Sequence, residues 1–351
     1  MIDKEYCLSS YMAYRYTYKD GVDYAEGMCH KNFEPIPDDK KTAVRSACEI
    51  DEKIQRDFDR LHGKYKKIGI LLSGGMDSAV LASYMKPGSY AYTFVSKQSE
   101  VFDSDIKRSK EYSEKYGLNQ KLIDISFDDY KAFTPIVTKH KCGPVHSIEP
   151  QIYKAAKQAQ ADGVELMIIG DGADYVFGGM DQLLGKDWKY DEFVNRYISL
   201  DPELVLTHPK YVYEPFEKYR IGKDDIDFQG FMDDLCTNES YSSYMNAFNA
   251  SGLPYFDPYE DLVMAEPKDL QRIRNGESKY LIRDLYKMKY PEREVPKKIP
   301  MPRPVDMIFK DWTGPTRSEF RKDIPMNKLS GNQKWQLWCA ELFLNLTFGN
   351  D

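Results

Sequence analysis

Short apolar runs alternate with amphipathic stretches through the first half of the chain. The apolar runs predict β-strands, and they are KIGILL, YAYTFV, KLIDIS and ELMIIG. The stretches between them carry apolar residues at helical spacing and predict helices at 78–85, 103–116 and 149–161. Strands that alternate with helices form a parallel, doubly wound sheet, whose ligands bind beyond the carboxyl ends of the strands. The pattern therefore predicts an α/β fold with a ligand pocket at that edge.

The flanking sequence has a different pattern. Before the first strand the chain is aromatic and turn-rich, and then helical from about Lys40 to Leu61. After the last strand, apolar residues keep helical spacing between scattered prolines, and PKKIPMPRP at 296–304 must be a loop because proline breaks helices. The pattern thus predicts an N-terminal linker and helix at 1–64, an α/β core at 65–185 and a helical C-terminal lobe at 186–351, with 65–351 acting as one unit.

Composition narrows the class of protein. Of the 351 residues, 42% are hydrophobic and 30% are charged, as in soluble globular proteins. The net charge of −7 argues against a nucleic-acid binder. No apolar run has the length of a membrane span, and the N-terminus has no signal-peptide core. The six cysteines contain no CxxC pair, so we expect reduced thiols and a cytoplasmic protein rather than a zinc site.

Two glycine-rich segments follow predicted strands. Residues 73–78, SGGMDS, offer backbone N–H groups, two hydroxyls and the Asp77 carboxylate at a turn into a helix, which suits pyrophosphate and a metal ion. The segment lacks the end of a Walker A loop and the spaced glycines of a dinucleotide fingerprint. Residues 170–179, GDGADYVFGG, carry Asp171 and Asp174 between glycines. A metal ion would relieve the repulsion between these carboxylates; the alternative is a capping aspartate in a glycine-rich turn.

These segments resemble known motifs. SGGMDS resembles the PP-loop of the N-type ATP pyrophosphatases, and GDGADYVFGG resembles the SGEGSDEVFGG segment of asparagine synthetases. From about residue 5 to 320 the chain is similar to the synthetase domain of the asparagine synthetase family and to the related β-lactam synthetases. The resemblance implies an adenine nucleotide α-hydrolase-like fold. Residue 2 is Ile, and residues 1–64 leave no room for the family's glutaminase domain with its cysteine nucleophile, so we expect the synthetase domain alone.

The resemblance also implies ATP and Mg²⁺ as cofactors and roles for particular residues. The residues implied to bind ATP or pyrophosphate are Leu71, Ser73, Gly74, Gly75, Met76, Asp77, Ser78, Gly170, Gly172 and Lys279. Asp77 and Asp174 are implied to share the metal ion. Lys279 lies in NGESKYLIRDLY, which resembles GKxxLRxA, and Lys298 lies in KKIPMPRP, which resembles KMGFPVP. The implied catalytic residues are Lys298, Lys279 and Asp171, with Lys297 as the alternative to Lys298.

Several positions depart from the family pattern. Asp171 stands where asparagine synthetases have Glu and β-lactam synthetases have Tyr, and a shorter carboxylate can still act there as a general base. SGLPYFDPYED aligns with GVEARVPFLD, so Pro254 and Phe256 replace a Glu and an Arg, and a carboxylate-binding fork is lost. We therefore expect a substrate other than aspartate. His146 is predicted to be a solvated loop histidine, with contact to phosphate or substrate as the alternative.

The implied activity is that of an ATP-dependent amide-forming ligase. Such an enzyme activates a small-molecule carboxylate as an acyl-AMP with release of pyrophosphate, and then transfers the acyl group to ammonia or an amine. Ammonia would arrive free or from a separate protein partner. Two alternatives remain open. One is a PP-loop enzyme that modifies a tRNA or nucleotide, against which the acidic chain counts; the other is a non-catalytic ATP-binding homologue, which the altered acceptor residues favour.

Overall fold

A parallel β-sheet forms the centre of the molecule, for which a computed structural model describes residues 1–95, 103–298 and 300–349. The strands, in chain order, are β1 Thr42–Val44, β2 Ile68–Leu71, β3 Tyr90–Val95, β4 Asn119–Asp124, β5 Leu166–Ile168, β6 Arg220–Ile221, β7 Asp225–Ile226, β8 Tyr255–Phe256 and β9 Leu262–Met264. Within the described residues the central sheet has five strands, all parallel, in the spatial order β4-β3-β2-β5-β8.

Helices cover this sheet and build most of the C-terminal half. They are α1 Lys4–Tyr14, α2 Ala47–Lys64, α3 Met76–Ala82, α4 Asp103–Tyr116, α5 Phe127–Lys141, α6 Glu149–Ala161, α7 Gly172–Val176, α8 Asp181–Leu184, α9 Tyr190–Tyr197, α10 Pro202–Val205, α11 Glu214–Glu217, α12 Phe228–Leu235, α13 Asn238–Ser251, α14 Leu270–Arg274, α15 Tyr280–Lys289, α16 Val305–Ile308 and α17 Gly331–Phe348. Across the described residues, no helix has both the length and the apolar character needed to cross a membrane.

The predicted parallel α/β fold is confirmed. The four predicted strands are β2, β3, β4 and β5, although β4 begins and ends two residues earlier than KLIDIS. The sequence pattern does not predict β8, because a strand of two residues shows no alternation. The helix predicted at 78–85 is α3, which begins at Met76 and ends at Ala82. The segment boundaries at residues 64 and 185 stay predictions.

The helix expected from Lys40 begins later than predicted. Thr42 and the next two residues form β1, which pairs in parallel with β9 beginning at Leu262. α2 then starts after Ser46, whose hydroxyl accepts the N–H of Glu49 at 3.2 Å and so caps the helix. The physical cause is strand pairing: residues that the local pattern assigns to the helix pair instead with a distant segment, β9.

Two long helices, α1 and α5, are not predicted by the pattern. α5 begins with a capping box, in which Ser126 Oγ accepts the Asp129 N–H at 3.1 Å and Asp129 Oδ2 accepts the Ser126 N–H at 2.8 Å. α1 is buried on nearly every side, with Cys7 and Tyr11 fully enclosed. A helix buried all round has no polar face, so it leaves no amphipathic signal in the sequence.

Separate hydrophobic clusters cover the two faces of the sheet. Ile68 and Ile70 of β2 pack with α2, α3 and α15 on one face, and Leu71 packs with the cluster of α5, α6 and α13 on the other. Helices from the C-terminal half therefore lie on both sides of the core. Ser240, near the start of α13, and Lys279, just before α15, reach the carboxyl edge of the sheet in this way.

Candidate active site

A cavity of about 220 Å³ lies at the carboxyl ends of β2 and β5. The predicted site residues that line it are Leu71, Ser73, Gly74, Gly75, Met76, Asp77, Ser78, Gly170, Asp171, Asp174, Lys279 and Lys298. These residues come from two strand ends, the approach to α15 and the proline-rich loop. The fold therefore brings together segments that are more than two hundred residues apart in sequence, at the edge where parallel sheets bind ligands.

The loop after β2 is held by its own hydroxyls and by α4. Ser73 Oγ accepts the N–H of Gly75 at 3.1 Å, and the Ser73 N–H donates to Ser78 Oγ at 3.0 Å. A Cβ at Gly74 would lie only 2.5 Å from the carbonyl oxygen of Asp105, so α4 crosses this loop too closely for any side chain. Arg108 Nε also donates to the carbonyl of Gly74 at 2.9 Å. The loop is thereby fixed before any ligand binds.

Two lysines and two aspartates form an ionic network on the cavity wall. Lys279 is only 3% exposed, and its Nζ lies 2.6 Å from Asp77 Oδ2 and 3.0 Å from Asp174 Oδ1. Lys298 Nζ lies 2.7 Å from the same Asp174 oxygen and 3.3 Å from the carbonyl of Gly179. Asp174 therefore contacts both ammonium groups, whereas Asp77 contacts only Lys279 among the described residues.

Burial and the lysines act on the two carboxylates in opposite directions. Burial raises the pKa of Asp77, the charge of Asp174 acts in the same direction, and the ammonium groups of Lys279 and Lys298 do not cancel these effects. Burial also acts to raise the pKa of Asp174, but Lys279 and Lys298 together outweigh it and the pKa falls below its ordinary value. For Lys279, burial acts to lower the pKa, but the two carboxylates prevail and raise it. The network therefore keeps Asp174 and Lys279 charged.

The backbone around this network is tightly constrained. Lys279 has a φ of 55°, a left-handed conformation that costs a non-glycine residue of the order of 1–3 kcal/mol. Its two carboxylate contacts hold it there. A Cβ on Gly179 would overlap Asp174 Oδ1 and would lie 2.8 Å from Asp174 Cα. Gly178 has a φ of 76°, so this pair of glycines allows the chain to fold back over Asp174.

The chemistry of the two aspartates fits a magnesium ion. Asp77 Oδ1 is buried and has no hydrogen-bond partner among the described residues, which is costly unless a ligand satisfies it. Across the described residues, no group of three or more acidic, histidine or cysteine side chains gathers as a metal site. Mg²⁺ typically takes one or two carboxylates and completes its shell with phosphate oxygens and water. Asp77 and Asp174 therefore suit an ion that arrives with a nucleotide.

Asp171 occupies a different part of the cavity. Its Oδ2 accepts a hydrogen bond from Ser240 Oγ at 2.6 Å. Burial raises the pKa of Asp171 to about 7, and the charge of Asp174 acts in the same direction. A carboxylate with a pKa near neutrality is suited to accept a proton from an amine. Its position and acidity are compatible with the general base expected from the sequence.

Gly172 and Phe256 do not lie where the sequence suggests. The N–H of Gly172 donates to Asp257 Oδ2 at 2.7 Å, so it is not available to a phosphate, and the residue does not line the cavity. Phe256 also lies off the cavity wall; its ring centroid is 5.8 Å from the guanidinium of Arg60. Phe256 therefore contributes no group to the lining of the cavity.

Lys297 lies off the cavity wall, and His146 is buried. Lys298 lines the cavity and Lys297 does not, so the geometry favours Lys298 for the expected role, which stays a prediction. The expectation that His146 is solvated is wrong, because the residue is only 5% exposed. Its Nε2 lies 3.3 Å from Glu239 Oε1, on the first turn of α13. The helix packs over the segment between α5 and α6, which the sequence pattern does not reveal.

Sequence reasoning did not identify the residues that α13 contributes to the site. Ser240 bonds to Asp171, and Tyr244 lines the cavity one turn later. Asp257, at the end of β8, accepts the N–H groups of Gly172 and Tyr259 at 2.7 and 3.0 Å and so fixes the turn after β5. Serine and tyrosine are ordinary residues in a helical pattern, and no signal in the sequence sets these apart.

The fold and the site together define a class of protein. A parallel α/β sheet with a Ser-Gly-Gly loop and two carboxylates at its carboxyl edge is the arrangement of PP-loop nucleotide-binding domains. Residues 50–221 match the model of the asparagine synthase family. The chain therefore carries an asparagine synthase family domain, whose members are ATP-using enzymes. A comparison with curated protein sequences gives no significant match.

Three solved structures show a partial likeness. The NH3-dependent NAD synthetase from Campylobacter jejuni has 15% identity and a TM-score of 0.27, and the match covers 38% of this chain and 61% of that one. The NMN synthetase from Francisella tularensis has 13% identity and a TM-score of 0.29, covering 73% of this chain and 99% of that one. The U34-tRNA thiolase NcsA from Methanococcus maripaludis has 17% identity and a TM-score of 0.27, covering 72% and 82%. At these TM-scores the three proteins support no statement about substrate or activity here.

Proposed function

We propose that the protein is an ATP-dependent amide-forming ligase. It activates a small-molecule carboxylate as an acyl-AMP with release of pyrophosphate, and transfers the acyl group to ammonia or an amine. The observation that carries the proposal is the network of Lys279, Lys298, Asp77 and Asp174 on the wall of one cavity, beside the Ser-Gly-Gly loop. A site that cleaves ATP at the α phosphate needs fixed donors and cations where charge gathers.

The loop supplies the donors for the phosphates. The N–H groups of Gly74 and Met76 make no hydrogen bond to the described residues, and both residues line the cavity. The hydroxyls of Ser73 and Ser78, 2.9 Å apart, can turn toward a phosphate oxygen. Because these groups are already fixed, they do not need to reorganise when charge develops.

The cations face the same space. Lys279 and Lys298 together balance the charges of Asp77 and Asp174, and Arg283 adds a further positive group to the cavity lining. A Mg²⁺ ion held by the two aspartates would neutralise phosphate charge. Lys298 is half exposed on its loop, so it can move from Asp174 to the reacting phosphate when substrates bind. This mobility is the reason to assign transition-state stabilisation to Lys298 rather than to the enclosed Lys279.

Asp171 serves the second half of the reaction. An amine that attacks an acyl group must lose a proton, and a carboxyl with a pKa of about 7 can accept it near neutral pH. The hydrogen bond from Ser240 holds the carboxylate in place. The nitrogen is supplied as free ammonia, by a separate protein, or by an amine substrate.

The decisive experiment is pyrophosphate release and ATP–pyrophosphate exchange with a panel of carboxylic acids. A ligase forms labelled ATP from labelled pyrophosphate only when a suitable acid is present. A non-catalytic ATP-binding protein binds nucleotide without exchange, and an enzyme acting on tRNA or nucleotide requires that substrate instead of an acid. Asp77→Asn should abolish Mg²⁺-dependent exchange while the far-ultraviolet circular dichroism is unchanged; undiminished exchange would refute the metal role.

Lys298 and its neighbour form a matched pair of variants. Lys298→Ala should reduce turnover by roughly 100- to 1000-fold, as the loss of one transition-state donor does. Lys297→Ala is the control, because Lys297 is exposed and does not line the cavity. If Lys297→Ala alone has the large effect, the assignment of the catalytic lysine is wrong.

A further inference from the structure

A second cavity lies on the other side of α7 from the candidate active site. Its volume is about 460 Å³, roughly twice that of the first cavity and within the range of small-molecule sites. Residues 33–41, α7, α12 and β9 supply most of its lining. Asp174 of α7 lines the first cavity, whereas Tyr175 and Val176 line the second, and none of the described residues lines both. The second cavity is therefore a separate space, to which the proposed reaction assigns no role.

Three aromatic rings form one wall of this second cavity. The ring centroid of Tyr241 lies 4.7 Å from that of Phe33 and 5.5 Å from that of Tyr175. The N–H of Phe33 donates to Ser242 Oγ at 3.0 Å, which ties the N-terminal segment to α13. A Cβ on Gly172 would lie 2.6 Å from the Tyr241 hydroxyl, so the glycine leaves room for this ring. The wall is thereby preformed, and it suits a flat apolar group.

The lysines that line this cavity are already paired with aspartates of the same lining. Lys41 Nζ lies 2.8 Å from Asp38 Oδ1, and Lys268 forms an ion pair with Asp233. Because each ammonium already faces a carboxylate, these lysines give the cavity no net positive charge. An anionic ligand would have to compete with the two aspartates.

Glu260 adds a carboxylate that has no ionic partner among the described residues. No ammonium or guanidinium of these residues lies within 4.0 Å of it. Burial raises the pKa of Glu260 to about 7, the charge of Asp261 adds to this rise, and Lys41 offsets it only in part. The other glutamate of the lining, Glu266, is exposed and lies 3.9 Å from Arg45 Nε. A half-buried carboxylate that has lost water without gaining a cation is stabilised by a ligand that brings one.

We infer that the second cavity binds a small organic amine with an aromatic body, its ring against Tyr241 and Phe33 and its ammonium at Glu260. The ring packs on the aromatic wall, and the cation is attracted both by the ring faces and by the carboxylate. A volume of about 460 Å³ is ample for a ligand of this kind. The inference concerns binding alone and does not depend on the proposed ligase activity.

The test is isothermal titration calorimetry at pH 8 with 2-phenylethylamine, 2-phenylethanol and 3-phenylpropionate, which share a ring and differ in charge. At this pH Glu260 is mostly ionised, and an alkyl amine with a pKa of about 10 keeps its proton. The amine should bind at least about 10-fold more tightly than the alcohol, and the propionate more weakly than either. Glu260→Gln should weaken binding of the amine by about 10- to 100-fold and leave binding of the alcohol unchanged. Glu266→Gln, at the exposed glutamate, is the matched control and should change the affinity by less than about 3-fold.

Two further variants locate the bound amine. Ala265→Trp, at a residue of the lining, should fill the cavity and abolish binding of the amine and the alcohol, while the far-ultraviolet circular dichroism is unchanged. Asp171→Asn removes the raised-pKa carboxyl of the active site and should leave binding of the amine intact. If Asp171→Asn abolishes binding and Glu260→Gln does not, the amine binds in the active site and the inference is wrong. Equal affinities for the three ligands, or no saturable binding of the amine at millimolar concentrations, would also overturn it, whether or not any acid supports pyrophosphate exchange.

Discussion

Lys279 offers the sharpest test of the ionic network. Its ammonium contacts Asp77 at 2.6 Å and Asp174 at 3.0 Å in an almost fully buried position. Lys279→Met removes the charge and keeps a side chain of similar length. The positive φ at this position is equally unfavourable for both side chains, so backbone strain cancels from the comparison. The difference in stability between the two proteins then reports the ionic contacts.

The expected cost falls mainly on Asp77. Asp174 retains Lys298 at 2.7 Å, whereas both oxygens of Asp77 lose or lack a partner among the described residues. Removing one partner of a buried ion pair costs about 3–5 kcal/mol of stability. Asp77 can take up a proton and so lose its unpaired charge, and we therefore expect a cost at the lower end of this range. With 351 residues and an unfolding entropy of about 2.1 cal/mol/K per residue, 3 kcal/mol lowers the melting temperature by about 4 °C.

The assay is differential scanning calorimetry without and with Mg²⁺. Lys287→Met is the control, since Lys287 is exposed on α15, which begins directly after Lys279, and its loss should cost less than about 0.5 kcal/mol. Mg²⁺ should raise the melting temperature of Lys279→Met more than that of the wild type, because the ion can replace the ammonium between the carboxylates. If Lys279→Met melts within a degree of the wild type, the lysine does not balance these carboxylates. Equal Mg²⁺ shifts would contradict the metal assignment.

Two other predictions concern a glycine and a surface carboxylate. Gly179→Ala should lower the free energy of unfolding by about 1–3 kcal/mol and remove most of the exchange activity, because the added Cβ would displace Asp174. Gly63→Ala is the control and should leave stability and activity intact, because no atom lies within 4 Å of the added Cβ. A fully active Gly179→Ala would show that Asp174 tolerates displacement. For Glu319, burial acts to raise the pKa, but hydrogen bonds from Arg317 outweigh it and hold the pKa at about 2, below the ordinary 4.5. This lowered pKa stabilises the fold above pH 4.5, and the stabilisation is lost as the pH falls toward 2. Glu319→Gln should therefore remove about 1 kcal/mol at pH 7, after allowance for solvent screening, and much less at pH 2, where half of the groups are protonated in the folded protein. Urea unfolding at several pH values measures this, and an equal effect at both ends would rule out titration as its origin.

The motifs that could be found from sequence are those with local causes. SGGMDS follows a buried strand, and its residues contact one another within six positions, as between Ser73 and Ser78. Gly74 must be glycine because α4 crosses it closely, and a required glycine remains visible in any sequence that adopts this loop. Asp77 and Asp174 follow strands that lie next to each other in the sheet, so the parallel fold predicts their proximity.

Contacts between distant segments could not be found in this way. Arg303 and His146 meet although 157 positions separate them, and Ser240 meets Asp171 across 69. His146 looks like a loop residue from its neighbours in sequence, and only the packing of α13 encloses it. The same limitation applies to β1, whose residues look helical until β9 supplies their strand partner.

The order of apolar and polar residues is sufficient to define the α/β sheet, the edge at which ligands bind and the loop suited to phosphate, because these depend on interactions between residues near in sequence. Which lysine faces the cavity and which histidine is buried depend on how the C-terminal helices pack over the core. Solvation and charge pairing are properties of the space around a side chain, and that space is created only when distant segments come together.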